Sequence, residues 1–261
     1  MTGTEQGRLR ATTEFVNADK YLLKREIEGT IPAGLKHFRF KSGSEFSYIK
    51  SYILPYIIPL WASALSRPMD DQLVLEDSIK HPFDEYFFVD LVLNDRINEK
   101  EAAAIYIYKA IQYKQITGLN VHICLVHEDY QGYGLMNKLI RSSIDTTQAQ
   151  FLTLHTQNQH MVQAVRSFCP KGFLFPIDGI PPLGIRQMAD SIEKESNKPK
   201  YDENVMVIRG MFGAGTPLYG DRKERIGNHT DIRTFFLNNV NFQKGDGVLI
   251  IGLIPPTFKQ A

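Results

Sequence analysis

The chain has 261 residues, with 30 basic and 29 acidic side chains, a net charge of +1 and 43% hydrophobic residues. These values are typical of a globular protein, and they exclude the bulk positive field that would favour a nucleic-acid partner. Two cysteines supply no disulfide framework and no secretory signal opens the chain, so we expect a cytoplasmic protein. The most apolar stretch, residues 52–65, is shorter than the roughly 20 residues of a membrane span and includes two prolines, so we expect no membrane partner.

The first half of the chain predicts strands around a helical segment. Alternating residues at 36–40 predict a strand, and a helix beginning near Ser44 is expected to be split by Pro55 and Pro59 into two short helices. Three β-rich runs follow and predict an antiparallel meander: 86–94, 102–113 and 117–127, with turns at Asn94-Asp95-Arg96 and Ile116-Thr117-Gly118.

The second half alternates helices and strands. A helix over about 132–145 leads to a strand at 151–155, which a right-handed crossover places parallel to the strand before the helix. The remaining predicted elements are a helix capped by Asn158 and ended by Pro170, a strand at 172–177, a helix at 185–196, a strand at 204–212, and a hairpin of 233–242 with 247–254 around Lys244-Gly245-Asp246-Gly247. This order predicts an α/β fold with a mixed sheet and a C-terminal β-rich extension.

The stretch from Val121 to Leu139 reads as strand, glycine turn and helix. Without side chains at Gly132 and Gly134, backbone N–H groups can converge on a phosphate at the positive end of a helix dipole. No Gly-Lys-Ser/Thr follows the glycines, which excludes the nucleotide-triphosphatase loop, and the three-glycine dinucleotide fingerprint is missing too. A pyrophosphate is the ligand that such a turn predicts.

Residues 126–136 resemble the coenzyme A loop of the GNAT superfamily of acetyltransferases, whose pattern is Arg or Gln, two residues, Gly, one residue, then Gly or Ala. Gln131 and Gly134 match this pattern, whereas Met136 stands where the family prefers a small residue. Asn158 after a strand, followed by a helix and Gly172-Phe173, is similar to a second family pattern. The resemblance covers about two-thirds of the chain and implies an N-terminal segment (1–34), a GNAT-like acyl-CoA N-acyltransferase domain (35–214) and an extension packed on it (215–261).

The resemblance implies an N-acetyltransferase that moves acetyl from acetyl-CoA to an amine by direct attack in a ternary complex. The strand before the turn would diverge from its neighbour, so that backbone groups of Leu125 and Val126 hold the pantetheine. The pyrophosphate would bind the turn, and Asn158 would bind the coenzyme arm, although a plain helix cap explains Asn158 equally well. The cofactor-binding residues implied in this way are Leu125, Val126, Gln131, Gly132, Tyr133, Gly134, Leu135 and Asn158.

Proton transfer needs a base and an acid, and here the chain departs from the family. The position four residues before Gly172, where the family often has a tyrosine as acid, holds Phe168. Tyr133, Cys169 or water would then protonate the leaving thiolate, and we predict Tyr133 as the side chain for this role. For the base, Glu128 at the strand end is the leading carboxylate, with His127 and His122 behind it.

Two other site chemistries are disfavoured by geometry. His122-x-Cys124-x-x-His127 suggests a metal site, but His122 and Cys124 share one face of a strand while His127 lies on the other, so we predict no metal. Cys169 and His160 lack a third group that would orient a nucleophile pair, so Cys169 is expected to be a core residue.

Two alternatives to acetyl transfer are open. Met136 and Phe168 raise the alternative of a non-catalytic coenzyme A-binding or sensing module, and the other is an acyltransferase that uses a longer or carrier-bound thioester donor, as in acyl-homoserine lactone synthases. Met136 is expected to turn into the core beside Leu139 and Ile140 and to leave the phosphate site open.

The expected acceptor is a small-molecule or peptide amine, and the protein is expected to be a monomer or a homodimer.

Overall fold

The structure is a computed structural model that describes residues 34–40, 43–80, 88–94, 101–196, 200–213 and 229–255. Nearly all of the predicted N-terminal segment lies outside these described residues. The same holds for residues 95 and 96 of the first predicted turn and for residues 214–228.

The described residues form helices and strands that alternate along most of the chain. The helices are α1 (Gly43–Leu65), α2 (Gln72–Lys80), α3 (Leu135–Thr147), α4 (Gln159–Arg166), α5 (Leu183–Ser196) and α6 (Thr230–Asn239). The strands are β1 (Leu35–Phe40), β2 (Phe88–Asn94), β3 (Glu101–Tyr113), β4 (Ile116–Val126), β5 (Phe151–Thr156), β6 (Leu174–Phe175), β7 (Val207–Ile208) and β8 (Gly247–Leu253). The order of elements from β1 to β6 is the one that the GNAT resemblance implied.

The strands belong to one eight-stranded sheet with the order β1-β2-β3-β4-β5-β8-β6, and β7 also pairs with β8. β4 and β5 are parallel, whereas β8 is antiparallel to β5, β6 and β7, and β1 is antiparallel to β2. The predicted α/β class with a mixed sheet is therefore confirmed. So is the parallel crossover through α3.

The chain divides into two compact units. Among the described residues, the first contains those up to 64, 68–107 and 125–133, and the second contains 65–67, 108–124 and those from 134 onward. In the first unit, Ile57 and Trp61 of α1 and Val74 of α2 are fully buried. In the second, side chains of α5 pack with Phe151 of β5 and Leu249 of β8 in a single hydrophobic cluster.

The prediction of two short helices around Pro55 and Pro59 is wrong, because α1 is one continuous helix of 23 residues that contains both prolines. Each proline removes only one backbone hydrogen bond. Complete burial of Ile57, Leu60 and Trp61 offsets that loss, since a buried large apolar side chain contributes roughly 1.5–3 kcal/mol. Neither α1 nor any other described helix has the combined length and apolar character of a membrane span.

The turn predicted at Ile116-Thr117-Gly118 is also misplaced, since the chain turns at Lys114 and Gln115. Lys114 adopts a left-handed φ of 54°, and β4 has already begun at Ile116. Gly118 lies within β4, and a Cβ there would be 2.1 Å from the Phe151 ring. This glycine accommodates packing and does not mark a turn.

The predicted C-terminal hairpin is wrong as well. Thr230–Asn239 is a helix whose Ile232 and Phe236 are buried with helical spacing, and Gly245 ends a short 3-10 helix at Phe242–Lys244. β8 then pairs with β5 and β6 instead of with residues 233–242. The strands predicted at 172–177 and 204–212 shrink to the two-residue β6 and β7, and the helix predicted to run to Pro170 ends at Arg166.

Candidate functional site

The end of β4 separates from β5. Their parallel pairing runs from Gly118 opposite Phe151 to Val121 opposite Leu154 and stops there, although both strands continue. On its other side β4 stays attached to β3, because the His127 N–H donates to the Ala103 carbonyl at 2.9 Å. The divergence that the resemblance implied is therefore present, and it begins before Leu125 and Val126.

A tight turn follows β4 and leads into α3. Glu128–Tyr130 form one turn of 3-10 helix, and Gly132 and Gly134 then adopt left-handed φ angles of 88° and 71°. Gly134 is the N-cap of α3 and supplies no side-chain cap, so nothing on this residue covers the first N–H groups of the helix. A helix start of this kind favours an anion because its first N–H groups have no partner within the helix.

The space in front of both glycines is open. A Cβ built at Gly132 or at Gly134 would meet no atom of the described residues within 4 Å, apart from its own chain neighbours. At Gly118 and Gly252, by contrast, a Cβ would collide with Phe151 or with the Cys169 sulfur at 2.1 and 2.5 Å. Packing within the protein therefore explains the absence of a side chain at Gly118 and Gly252, and it does not do so at the turn.

Gln131 fastens the turn to the strand that precedes it. Its side-chain Nε2 donates to the Val126 carbonyl at 3.0 Å, and its backbone N–H donates to the Glu128 carbonyl at 3.2 Å. These two bonds tie Gln131 to the end of β4 and to the 3-10 turn that follows it. Direct contact of Gln131 or Val126 with the cofactor stays a prediction.

The two predicted catalytic side chains are exposed on the turn. Glu128 is held by its backbone, whose N–H donates to Ser63 Oγ at 2.9 Å, while its carboxylate lies on the surface. Tyr133 is 58% exposed.

Leu135 is buried and starts the apolar stripe of α3, whereas Met136 is only partly buried, so the prediction that it packs in the core stays a prediction.

Asn158 is the N-cap of α4, where its side-chain oxygen accepts from the His160 N–H at 2.9 Å. The helix-cap interpretation of this residue is therefore confirmed. Asn158 belongs to the second compact unit and Leu125–Tyr133 belong to the first. A role for Asn158 in cofactor binding stays a prediction.

Phe168 and Cys169 lie in the core. Both are 3% exposed, and the Arg141 guanidinium lies 5.3 Å from the centre of the Phe168 ring. Burial raises the pKa of the Cys169 thiol to about 12, although nearby Arg166 opposes this effect. A thiol in such surroundings is a poor nucleophile, and the expectation that Cys169 is a core residue is confirmed.

A cluster that sequence reasoning missed surrounds His127. Its Nε2 lies 3.1 Å from Glu101 Oε1, and its Nδ1 lies 3.7 Å from Asp129 Oδ2. Glu101 also accepts from the Tyr130 hydroxyl at 3.1 Å, and that hydroxyl accepts from Asn94 Nδ2 at 2.7 Å. Glu101, a charged residue directly before the buried run 102–108 of β3, was the one available signal, and nothing in the sequence paired it with residue 127.

Comparison with known proteins gives matches at the level of structure alone. No protein-family model matches the chain, and no curated protein matches it. One similar solved structure is the NatC complex bound to Gag peptide and CoA, with 12% identity and a TM-score of 0.34 over 77% of this chain and 91% of that chain.

Two other matches are described as acetyltransferases. An aminoglycoside acetyltransferase from an uncultured soil metagenomic sample has 16% identity and a TM-score of 0.37 over 54% of this chain and 90% of that one. A GNAT family acetyltransferase of Staphylococcus aureus has 14% identity and a TM-score of 0.34 over 48% and 89%. At scores this low, the case for a chemistry rests on the residues of this chain.

Proposed function

We propose that this protein is a GNAT-type acyltransferase that transfers acetyl from acetyl-CoA to an amine. The observation that carries the proposal is the glycine turn at the start of α3, which is open in front of both glycines and directly follows a strand that has left its neighbour. Such a turn suits the pyrophosphate of coenzyme A, since several backbone N–H groups can donate to it at the positive end of a helix.

The residues of the turn have distinct roles in this proposal. The amides of Gly132, Tyr133, Gly134 and Leu135 bind the pyrophosphate, and Gln131 holds them in position through its bond to the Val126 carbonyl. Backbone groups of Leu125 and Val126 orient the pantetheine and the thioester. Orientation of this kind can supply a large part of catalysis, because direct attack needs the amine and the carbonyl at a fixed separation.

Tyr133 is the proposed donor to the leaving thiolate. Its side chain is exposed on the turn, whereas the thiol of Cys169 is buried with a raised pKa and Phe168 has no proton to donate. We expect Tyr133→Phe to bind coenzyme A normally and to lower kcat by about tenfold or more, since positioned acids contribute roughly 10²–10⁴-fold. Unchanged kcat in this variant would assign protonation to water.

A thiol-release assay tests the activity. Acetyl-CoA is offered with a panel of amines: amino acids, polyamines, aminoglycosides and peptides with free N-termini. The proposal predicts coenzyme A release that depends on one class of amine, and competition by longer acyl-CoA donors measures the preferred chain length. Tight binding of acetyl-CoA without turnover of any amine would favour the non-catalytic module instead.

A further inference from the structure

The polar chain that ends at His127 runs from Asn94 through Tyr130 and Glu101. Asn94 Nδ2 donates to the Tyr130 hydroxyl at 2.7 Å, the hydroxyl donates to Glu101 Oε2 at 3.1 Å, and Glu101 Oε1 lies 3.1 Å from His127 Nε2. All four residues belong to the first compact unit. The two hydrogen bonds of the Tyr130 hydroxyl position Glu101, whose other carboxylate oxygen lies beside the His127 ring.

The partners of His127 determine which nitrogen is basic. The Asp129 backbone N–H can only donate, and it reaches His127 Nδ1 at 3.4 Å, so Nδ1 is the acceptor. Nε2 then bears the proton, and it lies 3.1 Å from Glu101 Oε1. This is the arrangement in which a carboxylate orients an imidazole while the other ring nitrogen acts as a base.

The position of the ring is defined by its backbone and by its neighbours. The His127 backbone is bonded to β3 through Ala103, and the ring packs edge-on against Tyr130 at 6.0 Å between centroids. The side chain is 12% exposed. The bond from Asp129 to Nδ1 is at the long end of the hydrogen-bond range, so an incoming amine can displace it at little cost.

We propose that His127 accepts the proton of the attacking amine, with Glu101 as its positioning residue, and that Glu128 does not have this role. The inference rests on the acyl transfer proposed above. The amine nitrogen forms a bond to the thioester carbonyl carbon, the C–S bond breaks, and the amine proton moves to Nδ1. The resulting imidazolium is flanked by the carboxylates of Glu101 and Asp129, which stabilise its charge. Its proton then leaves to solvent, and Tyr133 protonates the thiolate.

The same three side chains could be taken for a metal site. Among the described residues, Glu101, His127 and Asp129 place one ligand atom each within 4.8 Å of one another. However, the Asp129 side chain is 75% exposed, and exposed carboxylates of this kind are common without an ion. Activity lost with a chelator and restored by Zn²⁺ would overturn the proton-transfer role.

Rate profiles against pH test the proposal. We expect His127→Gln to lower kcat by about 100-fold or more and to abolish the ascending limb of the kcat/KM profile. Glu101→Gln keeps the shape of the side chain and removes a charge beside the imidazolium. It should lower kcat by about tenfold while the affinity for coenzyme A stays unchanged. His229→Gln is the matched control, since His229 is exposed and makes no side-chain cap bond, and it should retain wild-type rates.

Two outcomes separate failure of this inference from failure of the proposed function. If the wild type releases thiol and Glu128→Gln abolishes the ascending limb while His127→Gln keeps it, the inference is wrong and the acyltransferase stands. If the wild type releases no thiol with any amine, the proposed function fails and the inference fails with it.

A spectroscopic readout checks the geometry without turnover. Imidazole nitrogen-15 shifts of the wild type, assigned by comparison with His127→Gln, should show a neutral ring protonated at Nε2. Coenzyme A affinity should be unchanged in Glu101→Gln, which shows that the variant is folded. A neutral ring protonated at Nδ1 would contradict the proposed arrangement.

Discussion

Gly134 and Gly245 share a left-handed backbone, with φ angles of 71° and 70°, but their surroundings are opposite. A Cβ at Gly245 would lie 2.1 Å from the Gly213 carbonyl oxygen, whereas a Cβ at Gly134 would meet no other described residue within 4 Å. Gly245 is therefore required by the fold, because two backbone segments meet there. Around Gly134 the described residues leave space beside a helix start, where we propose that the ligand binds.

The largest effect on stability should come from Gly245→Ala. The substitution combines a strained φ, which costs about 1–2 kcal/mol, with a collision against backbone that cannot rotate away. We expect a loss of about 3 kcal/mol or more in the free energy of unfolding, measured by urea denaturation. Gly210→Ala is the control, since its φ is 65° and its nearest contact is 3.8 Å away, so it should lose only the strain. Equal losses in the two variants would show that backbone strain alone accounts for the effect of Gly245→Ala.

Asp246, the neighbour of Gly245, should have the next largest effect. Its carboxylate is 1% exposed and accepts from Arg209 Nη1 and from the N–H groups of Gly210 and Asn241. Burial opposes ionisation, but these hydrogen bonds prevail and hold the pKa of Asp246 below its usual value. Asp246→Asn leaves at least one donor unpaired, and we expect a loss of about 2–3 kcal/mol at pH 7.

The sign of the pH dependence follows from that lowered pKa. A carboxyl whose pKa is lower in the folded state stabilises the protein above its unfolded pKa, and this stabilisation is lost as pH falls through the folded value. The difference in unfolding free energy between wild type and Asp246→Asn should thus be constant near neutrality and shrink below about pH 4. The exposed Asp145→Asn should show no comparable difference, and a gap that widens on acidification would contradict the assignment.

The smallest effect is expected at Met136, on the open turn. Its side chain is partly buried, so Met136→Ala should cost about 1 kcal/mol or somewhat more, below the 2–5 kcal/mol of fully buried large-to-small changes. Coenzyme A affinity should stay nearly constant. A tenfold gain in affinity with unchanged stability would show that Met136 obstructs the phosphate site.

Local signals predicted the region around the turn well. The alternation of Val121, Ile123 and Leu125, the glycines, and the helical spacing of Leu135, Leu139 and Ile140 all lie within 20 residues, so β4, the turn and α3 could be recognised together. The crossover to β5 followed from the handedness of such connections.

The failures all depend on contacts that are distant in sequence. Gly118 was interpreted as a turn residue because Phe151, which excludes a side chain there, is 33 residues away. The Phe-rich segment 233–242 favours strand by propensity, yet burial of Ile232 and Phe236 makes it a helix. Glu101 was missed because only the pairing of β3 with β4 brings it to His127.

The central claim is that coenzyme A binds the open glycine turn, and calorimetry of coenzyme A with a matched pair of variants tests it directly. Gly132→Val and Gly213→Val have nearly identical φ angles, 88° and 87°, and open space at both positions, so they share backbone strain and differ in location. We expect wild type and Gly213→Val to bind coenzyme A alike. Gly132→Val should bind at least tenfold more weakly, because each lost charge-assisted hydrogen bond is worth about 1.5–3 kcal/mol. Absence of binding by the wild type, or equal binding by Gly132→Val, would contradict the account.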